Sequence, residues 1–348
     1  MAYVNIYDSK YKRPGIWLHI FIGGRGCGKT YGALKGAWED AQKKGEGFFF
    51  VRRTDEERKL AELFNPFSAV NRKEGTKAIT APIGKKVTGF YHGTVGDDGE
   101  EKPAGPPAGY MLALSTIGSI RGLGLDSGSV NKFIYDEFIP EPHVRLLKME
   151  GDALFNALES LNRNRELEGL PVMDCYLLAN SNKIDNPIFK SLHLVSVCER
   201  MIRTGKRDYY DDQRGLALHL LEDAEFTDAK KKTALARLTE GSDFYDMAYN
   251  NSFSYNDFTG IRRLNAEGYT PCYRVGDACV WQRKGQKEYY ATYKDGSFAY
   301  SYKPSINADV LLGRSRHLRS FLKAYAGGKI IFESYDIKAT LLDFFGVK

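Results

Sequence analysis

Cysteine is scarce. The chain has five in 348 residues, at Cys27, Cys175, Cys198, Cys272 and Cys279. The number is odd and no two are spaced as CxxC, which fits reduced thiols better than a disulfide framework. The six histidines are scattered and none falls in HExxH, so no structural zinc site or zinc hydrolase is expected. No run approaches the roughly 18 apolar residues that a membrane helix needs. The opening MAYVNIYDSKYKRPG has no apolar stretch of the kind a secretory leader carries, and a cytosolic location is expected.

What is present is ordinary for a soluble globular chain: 43% apolar and 27% charged residues, with a net charge of +6. At roughly 150 residues per domain, the length suggests about two domains. The charge is uneven. From Asp246 to Lys348 there are 15 Lys+Arg against 10 Asp+Glu, and 11 of the 22 tyrosines also lie there. A basic, aromatic segment suits either nucleic-acid contact or a tyrosine-rich sheet with a solvated face.

The first half alternates strand and helix signals. IWLHIFI (16–22) reads as a buried parallel strand, and a helix follows from Thr30 to Lys44. FFFVRR (48–53) reads as a second strand. Thr54 with Glu57 makes a capping-box start for the next helix. Residues 77–92 look like a hairpin, and 93–109, rich in Gly, Pro and acids, like a surface loop. Strands are expected at 110–116, 132–138 and 173–180, with a helix over 151–162. Such alternation argues for an α/β domain with a mainly parallel sheet. After a polar stretch at 205–215, residues 223–241 read as one or two helices. Short Tyr/Val/Trp-rich runs follow, with a last helix over 336–345. The expected division is 1–207, a helical linker at 208–247, and a β-rich domain at 248–348.

GGRGCGKT, Gly23–Thr30, fits GxxxxGK[ST] and sits between a strand signal and a helix signal, the context this motif requires. Gly23, Gly24, Gly26 and Gly28 let backbone N–H groups turn inward around phosphate oxygens, with Arg25 and Cys27 between them. The helix start adds free N–H groups and the positive end of its dipole. Lys29 reaches the β- and γ-phosphates, and Thr30 offers a hydroxyl to Mg²⁺. The expected cofactors are ATP and Mg²⁺.

FIYDEF (133–138) places Asp136 to join the metal shell and Glu137 to orient or deprotonate the attacking water. An acid pair after a strand also serves as a helix cap. In NRNRE (162–166), Arg163 and Arg165 follow a helix, and a guanidinium there suits the charge spread over the γ-phosphoryl oxygens. Helix-end ion pairs explain the same spacing. Arg121, in SIRGLGL, is a second candidate finger or a solvated loop cation. Asn180, in LLANSN, could sense the γ-phosphate or cap the next turn. Arg52 and Arg53 end a strand where ligands collect, and could touch nucleotide or DNA or pair with Glu56 and Glu57.

GGRGCGKT, FFFVRR, FIYDEF, LNRNRE and LLANSN, in this order and spacing, resemble the DNA-packaging ATPase (DNA encapsidation protein) of phi-29-like short-tailed bacteriophages. The likeness is dense to about residue 207 and thin after 247. It implies an additional-strand P-loop ATPase of the terminase-motor type, a small helical linker, and a ribonuclease-H-like C-terminal domain without nuclease function. It implies a homo-oligomeric ring, a pentamer, that drives double-stranded DNA through the portal of an empty capsid, in some relatives with a structural packaging RNA. The location implied is the host cytoplasm, transiently at the portal vertex, and not the mature virion. It assigns phosphate contacts to Gly23–Thr30, metal and water to Asp136 and Glu137, a finger donated in trans to Arg163, and a second basic position between subunits to Arg121. One departure stands out: after Arg53, where the family can carry a lysine near DNA, this chain has Thr54, Asp55, Glu56 and Glu57. Arg58, Lys59, Lys85 and Lys86 are then the candidates for gripping DNA.

The C-terminal acids, among them Asp257, Asp277, Asp295, Asp336 and Asp343, are scattered singly, whereas a two-metal nuclease needs carboxylates converging on ions about 4 Å apart. Three rivals remain: a terminase whose C-terminal domain cuts DNA, a P-loop kinase for a small metabolite, and a docking protein with a silent nucleotide site.

Overall fold

Residues 18–22 are apolar except for His19 and form β1 (Leu18–Ile22), buried along its whole length. A strand buried on both faces needs covering elements on each side. The first is α1 (Lys29–Lys44), whose buried residues Ala33, Leu34, Ala37 and Trp38 recur at helical spacing. The computed structural model describes residues 3–347 apart from 97–98, 120–128, 142, 145, 148, 222–223, 251–252 and 254.

The next elements are β2 (Gly47–Arg52), α2 (Asp55–Phe64), α3 (Ser68–Glu74), β3 (Ala78–Pro82), β4 (Thr88–Val95), β5 (Glu101–Ala113) and β6 (Val130–Asp136). They are followed by α4 (Glu150–Asn162), β7 (Asp174–Ala179), α5 (Pro187–Ser191), α6 (Val195–Thr204), β8 (Asp208–Asp211) and β9 (Leu216–Leu220). Three short helices close this part: α7 (Ala224–Lys231), α8 (Ala234–Thr239) and α9 (Asp243–Tyr249).

Strands β1 to β9 form one nine-stranded sheet in the order β3-β4-β5-β2-β6-β7-β1-β9-β8. From β5 to β9 the neighbours run parallel, and the two edges are antiparallel hairpins. β7 lies between β1 and β6, which separates the strand leading into Gly23 from the strand ending at Asp136. This is the additional-strand arrangement. Thr54 caps α2 through its hydroxyl, which accepts from the Glu57 N–H at 3.2 Å.

The chain divides into two compact units, Met1–Leu192 with Thr204–Tyr255, and His193–Arg203 with Asn256–Lys348. In the second unit, β10 (Tyr269–Val275), β11 (Ala278–Arg283) and β12 (Tyr289–Thr292) make an antiparallel meander. Beside it, β13 (Ser301–Tyr302) runs parallel to β10, and β14 (Ile330–Phe332) parallel to β12. Helices α10 (Asn307–Ala326) and α11 (Tyr335–Phe345) supply Phe321 and Leu341 to a core with Val275, Val280 and Phe332.

Three sequence expectations need correction. Residues 101–109 are not a loop but the first part of β5, whose Pro103 lies opposite Gly93 of β4. There the strand pairs with β4 alone, and an edge position tolerates a residue without an N–H. Residues 208–220, read as linker, form β8 and β9 of the main sheet. The polar DYYD of β8 hides its strand character because it lies at the sheet edge. The 20-residue α10 falls where only short strands were expected.

Candidate nucleotide site

Register brings four strand ends to one edge. Ile22 lies opposite Ala179, Leu178 opposite Asp136, and Tyr135 opposite Val51. Gly23, Asn180, Glu137 and Arg52 therefore stand side by side at the C-terminal edge of the parallel strands, where open α/β sheets gather ligands.

The loop from Gly23 turns into α1 through Gly28, whose φ of 92° is left-handed. A side chain there would also collide with Tyr3, since a Cβ would lie 2.5 Å from it. Gly28 provides no side-chain cap, and the first N–H groups of a helix have no partner within it. Lys29 is buried. Its Nζ donates to Gly23 O at 2.9 Å, Gly24 O at 3.1 Å and Asn180 Oδ1 at 3.2 Å, and lies 3.6 Å from Cys27 Sγ. Arg25 points elsewhere, its Nη2 donating to Glu141 Oε1 at 2.6 Å.

A chain of charged groups continues from the loop. Thr30 Oγ1 donates to Asp136 Oδ1 at 2.9 Å. Arg52 donates through Nη1 to Asp136 Oδ2 at 2.9 Å and through Nη2 to Glu137 Oε2 at 2.6 Å. Its buried Nε has no hydrogen-bond partner. Burial pushes the Asp136 carboxyl above its usual 3.8, against the pull of Arg52, and the Glu137 charge adds to the rise. Burial opposes the Arg52 charge, but Asp136, Glu137 and Glu57 outweigh it and raise its pKa. Glu137 itself sits at φ 55°, a conformation that costs a non-glycine residue roughly 1 kcal/mol or more.

Arg53 turns the other way. It is 1% exposed, and its Nε donates to Glu150 Oε1 at 2.9 Å, which also accepts from Tyr135 OH at 2.7 Å. The start of α4 is thereby tied to the C-terminal edge of the sheet.

With a glycine loop that takes left-handed φ at Gly26 and Gly28, a helix start without a side-chain cap, a buried lysine and a hydroxyl–carboxylate pair, the residues present fit a polyphosphate with a hard divalent cation. Residues 11–340 match the family described as podovirus DNA encapsidation protein (Gp16). The chain belongs to that family. It is 25% identical over 340 residues to the DNA packaging protein of Bacillus phage PZA, covering 94% of this chain and 93% of the relative. Identity and coverage are the same for the DNA packaging protein of Bacillus phage phi29. Among solved structures, the bacteriophage Phi-29 viral genome packaging motor assembly matches with a TM-score of 0.64 at 22% identity, covering 95% of both chains. The Phi-28 gp11 DNA packaging motor matches with a TM-score of 0.59 at 18% identity, covering 96% of this chain and 95% of the other.

In this encapsidation-family chain, Arg163 does not join the cluster. It follows the last residue of α4, is exposed, and its Nε donates to Ser160 O at 3.2 Å. Asn162 beside it accepts from the Met173 N–H at 2.9 Å, just before β7 begins. α4 thus runs back along the sheet and leaves Arg163 at the N-terminal edge, roughly 20 Å from the helix start at the usual rise per residue. Arg165 is buried and donates to Pro171 O, Val130 O and Asn131 Oδ1. Arg121 lies outside the described residues.

Of the cations proposed to grip DNA, Arg58 is 2% exposed and donates to Asp55, Glu62, Thr88 and Lys85 O, which removes it from the surface. Lys59, Lys85 and Lys86 are exposed. Sequence reasoning missed Glu150, Glu141 and Lys230. Each makes its contact across a long sequence separation, and none stands in a motif.

Proposed function

We propose that the chain carries out its family's task, encapsidation of viral DNA, as the ATP-hydrolysing subunit of a homo-oligomeric ring at a capsid portal. One arrangement carries the reading: Gly23–Thr30 and the Asp136–Glu137 pair end strands on either side of β7, in a chain that matches the encapsidation family over residues 11–340.

In this reading the loop amides and α1 hold the phosphates of ATP, and Lys29 exchanges its carbonyl partners for β- and γ-phosphate oxygens. The Thr30 and Asp136 oxygens hold Mg²⁺, which when bound offsets phosphate charge. Glu137 orients water and takes its proton once it leaves Arg52. Asn180, already bonded to Lys29, senses the γ-phosphate end. Arg163 sits at the far edge from its own loop, so a neighbouring subunit's loop is the one it can serve, as a finger in trans. Arg121 remains a second basic position between subunits.

The exposed Lys85 and Lys86 at the β3–β4 turn suit DNA phosphates, a sequence-independent and salt-sensitive contact. The second unit docks rather than cuts. Asp257 pairs with Lys338, Asp277 and Asp295 with Arg274, and Asp336 accepts from Tyr293 OH. Among the described residues no three His, Cys, Asp or Glu side chains gather as a metal site. A five-membered ring, a packaging RNA partner, a cytoplasmic location and release before the virion matures belong to the same proposal and rest on the family alone.

The decisive experiment is the ATPase rate of the full chain with and without double-stranded DNA. DNA-stimulated turnover is expected. Turnover that needs a small phosphate acceptor and ignores DNA would replace the motor with a kinase, and binding without hydrolysis would leave a docking protein. A Mg²⁺/Mn²⁺ digestion assay on the same chain separates it from a cutting terminase.

A further inference from the structure

We infer that the outward face of α8 is the seat for the Arg163 end of a second copy of this chain, a head-to-tail contact that sets that arginine beside the Gly23–Thr30 loop. The inference rests on the proposed reading of Arg163 as a finger in trans, and names the surfaces that bring it there.

α8 has an inside and an outside. Ala236 is fully buried, in a cluster with Met247, Ala248 and Tyr249 of α9. Leu235 and Leu238, three residues apart and so on one face, are 53% and 82% exposed. Lys232 and Arg237 are exposed near them, with Glu240 as the acid just past the helix.

This helix stands beside the loop. A Cβ on Gly24 would lie 3.1 Å from Ala248 O at the end of α9. The Arg25 guanidinium lies 5.9 Å from the centre of the Phe244 ring, and Lys230 Nζ on α7 donates to Arg25 O. Ser181 Oγ, just past β7, donates to Met247 O at 3.3 Å. A body docked on α8 therefore lies next to the proposed phosphate site.

The complementary surface is at the opposite edge of the parallel strands. Trp17, Phe155, Leu158, Val172 and Met173 line a cleft of about 280 Å³, beside Asn162 and Glu166. A cavity of about 150 Å³ already takes a benzene-sized group, so this cleft has room for a leucine side chain. Leu167 and Leu170, in the turn after Arg163, are exposed, the first by 87%. Glu159, Glu166 and Glu168 are exposed around them, and Arg163 is the one exposed cation of residues 159–170.

Charge selects the pairing. Leu60, Leu63 and Phe64 of α2 make another exposed apolar face, but they lie among Glu56, Glu57 and Glu62, so that acids would meet acids. On that helix Arg58 is buried and Lys59 is paired with Asp55 at 3.0 Å. α8 instead offers leucines to an apolar cleft and cations to its acidic rim, the usual anatomy of a specific contact. The two surfaces lie at opposite edges of one chain, so no copy satisfies its own. Such a contact is heterologous, and its repetition closes a ring or winds a filament.

The test is photo-crosslinking of the full chain carrying Leu238→benzoylphenylalanine, with Mg²⁺ and a poorly hydrolysed ATP analogue. Cross-linked dimers are expected, and peptide mapping should place the bond within residues 155–172 of the second copy. Arg237→Glu on the same chain should lower the yield about tenfold, and adding Glu166→Arg should restore most of it, with melting temperatures close to wild type throughout. Should the labelled chain fail to fold, the same label at position 235 makes the same measurement. Bonds that map to α2 or α10, or no dimers at concentrations where the wild type turns over ATP, would overturn the inference. If the bond maps as expected but Arg163→Ala keeps normal turnover, the contact stands and the finger reading falls.

Discussion

Arg52 holds Glu137 in place: its Nη2 donates to Glu137 Oε2 at 2.6 Å while Nη1 engages Asp136 at 2.9 Å. A residue proposed to activate water is thus ion-paired to a neighbouring strand end. Arg52→Ala frees it and strips Asp136, only 3% exposed, of its counter-charge. The nucleotide-free variant is expected to lose about 3 kcal/mol of stability, part of it recovered with Mg²⁺ and ATP. Its DNA-free ATPase rate should rise relative to the DNA-stimulated rate. Melting curves and the ratio of the two rates check this, and an unchanged ratio would mean that Arg52 only fills space.

Lys29 and Glu137 should separate binding from hydrolysis. Lys29→Ala is expected to abolish nucleotide retention. Glu137→Gln should keep ATP bound while turnover drops roughly 10²–10⁴-fold, the usual worth of a positioned base. Equilibrium binding and single-turnover hydrolysis distinguish the two. A Glu137→Gln variant that still turns over at the wild-type rate would move the base elsewhere.

Arg163 and Arg165 are two residues apart and should behave oppositely. Arg163→Ala is expected to fold and bind ATP normally, and to lose DNA-stimulated turnover by about 10³-fold, in the range of a finger supplied in trans. Arg165→Ala removes a buried guanidinium bonded to two backbone oxygens and Asn131, and should cost about 3 kcal/mol of stability. Normal turnover in assembled Arg163→Ala rings would dismiss the trans assignment.

Mg²⁺-supported ATP binding should depend on acidity through Asp136. Its carboxyl titrates above 3.8 because it is buried, and a cation needs the ionised form. As pH falls, affinity should therefore decline from a higher pH than an exposed aspartate would give. The raised value also means that this group favours the fold below its unfolded pKa, and that the benefit is lost as pH rises through the folded one. Isothermal titration across pH, with Asp136→Asn as the flat control, measures the first effect.

His19 gives the opposite sign. It lies 3.4 Å from His219, which donates to Asp208 at 2.7 Å, and burial lowers the His19 pKa from 6.5 to about 4. The unfolded chain takes up the proton first. Stability is whole above 6.5 and should decline by roughly 3 kcal/mol as pH falls toward 4. His19→Phe should flatten that limb of the denaturation profile, and an unchanged limb would assign it to other groups.

The sequence marks the proposed phosphate loop and both acids because such chemistry demands short, ordered motifs: glycines for backbone approach, one lysine, one hydroxyl, and a strand ending in carboxylates. The strand alternation was legible for the same reason, since doubly covered strands must be apolar throughout. Arg52 and Arg53 were visible as a pair, but adjacent residues on a strand face opposite sides, and only the fold shows that one meets Asp136 and the other Glu150. β8 was missed because an edge strand can be polar. α10 was missed because its buried residues, Gly313, His317, Phe321 and Ala324, include too few large apolar groups to mark a stripe. Lys230 had no signature at all, being one lysine in a run of three.

Pinned by Glu150 against Arg53 at one end and by Asn162 against the Met173 amide at the other, α4 is a stiff rod from one edge of the parallel strands to the other. Tilting its buried end swings its exposed end. Strain placed on Arg53 as Arg52 lets go of its acids would thereby be felt at Arg163, on the opposite edge, without any loop having to unfold.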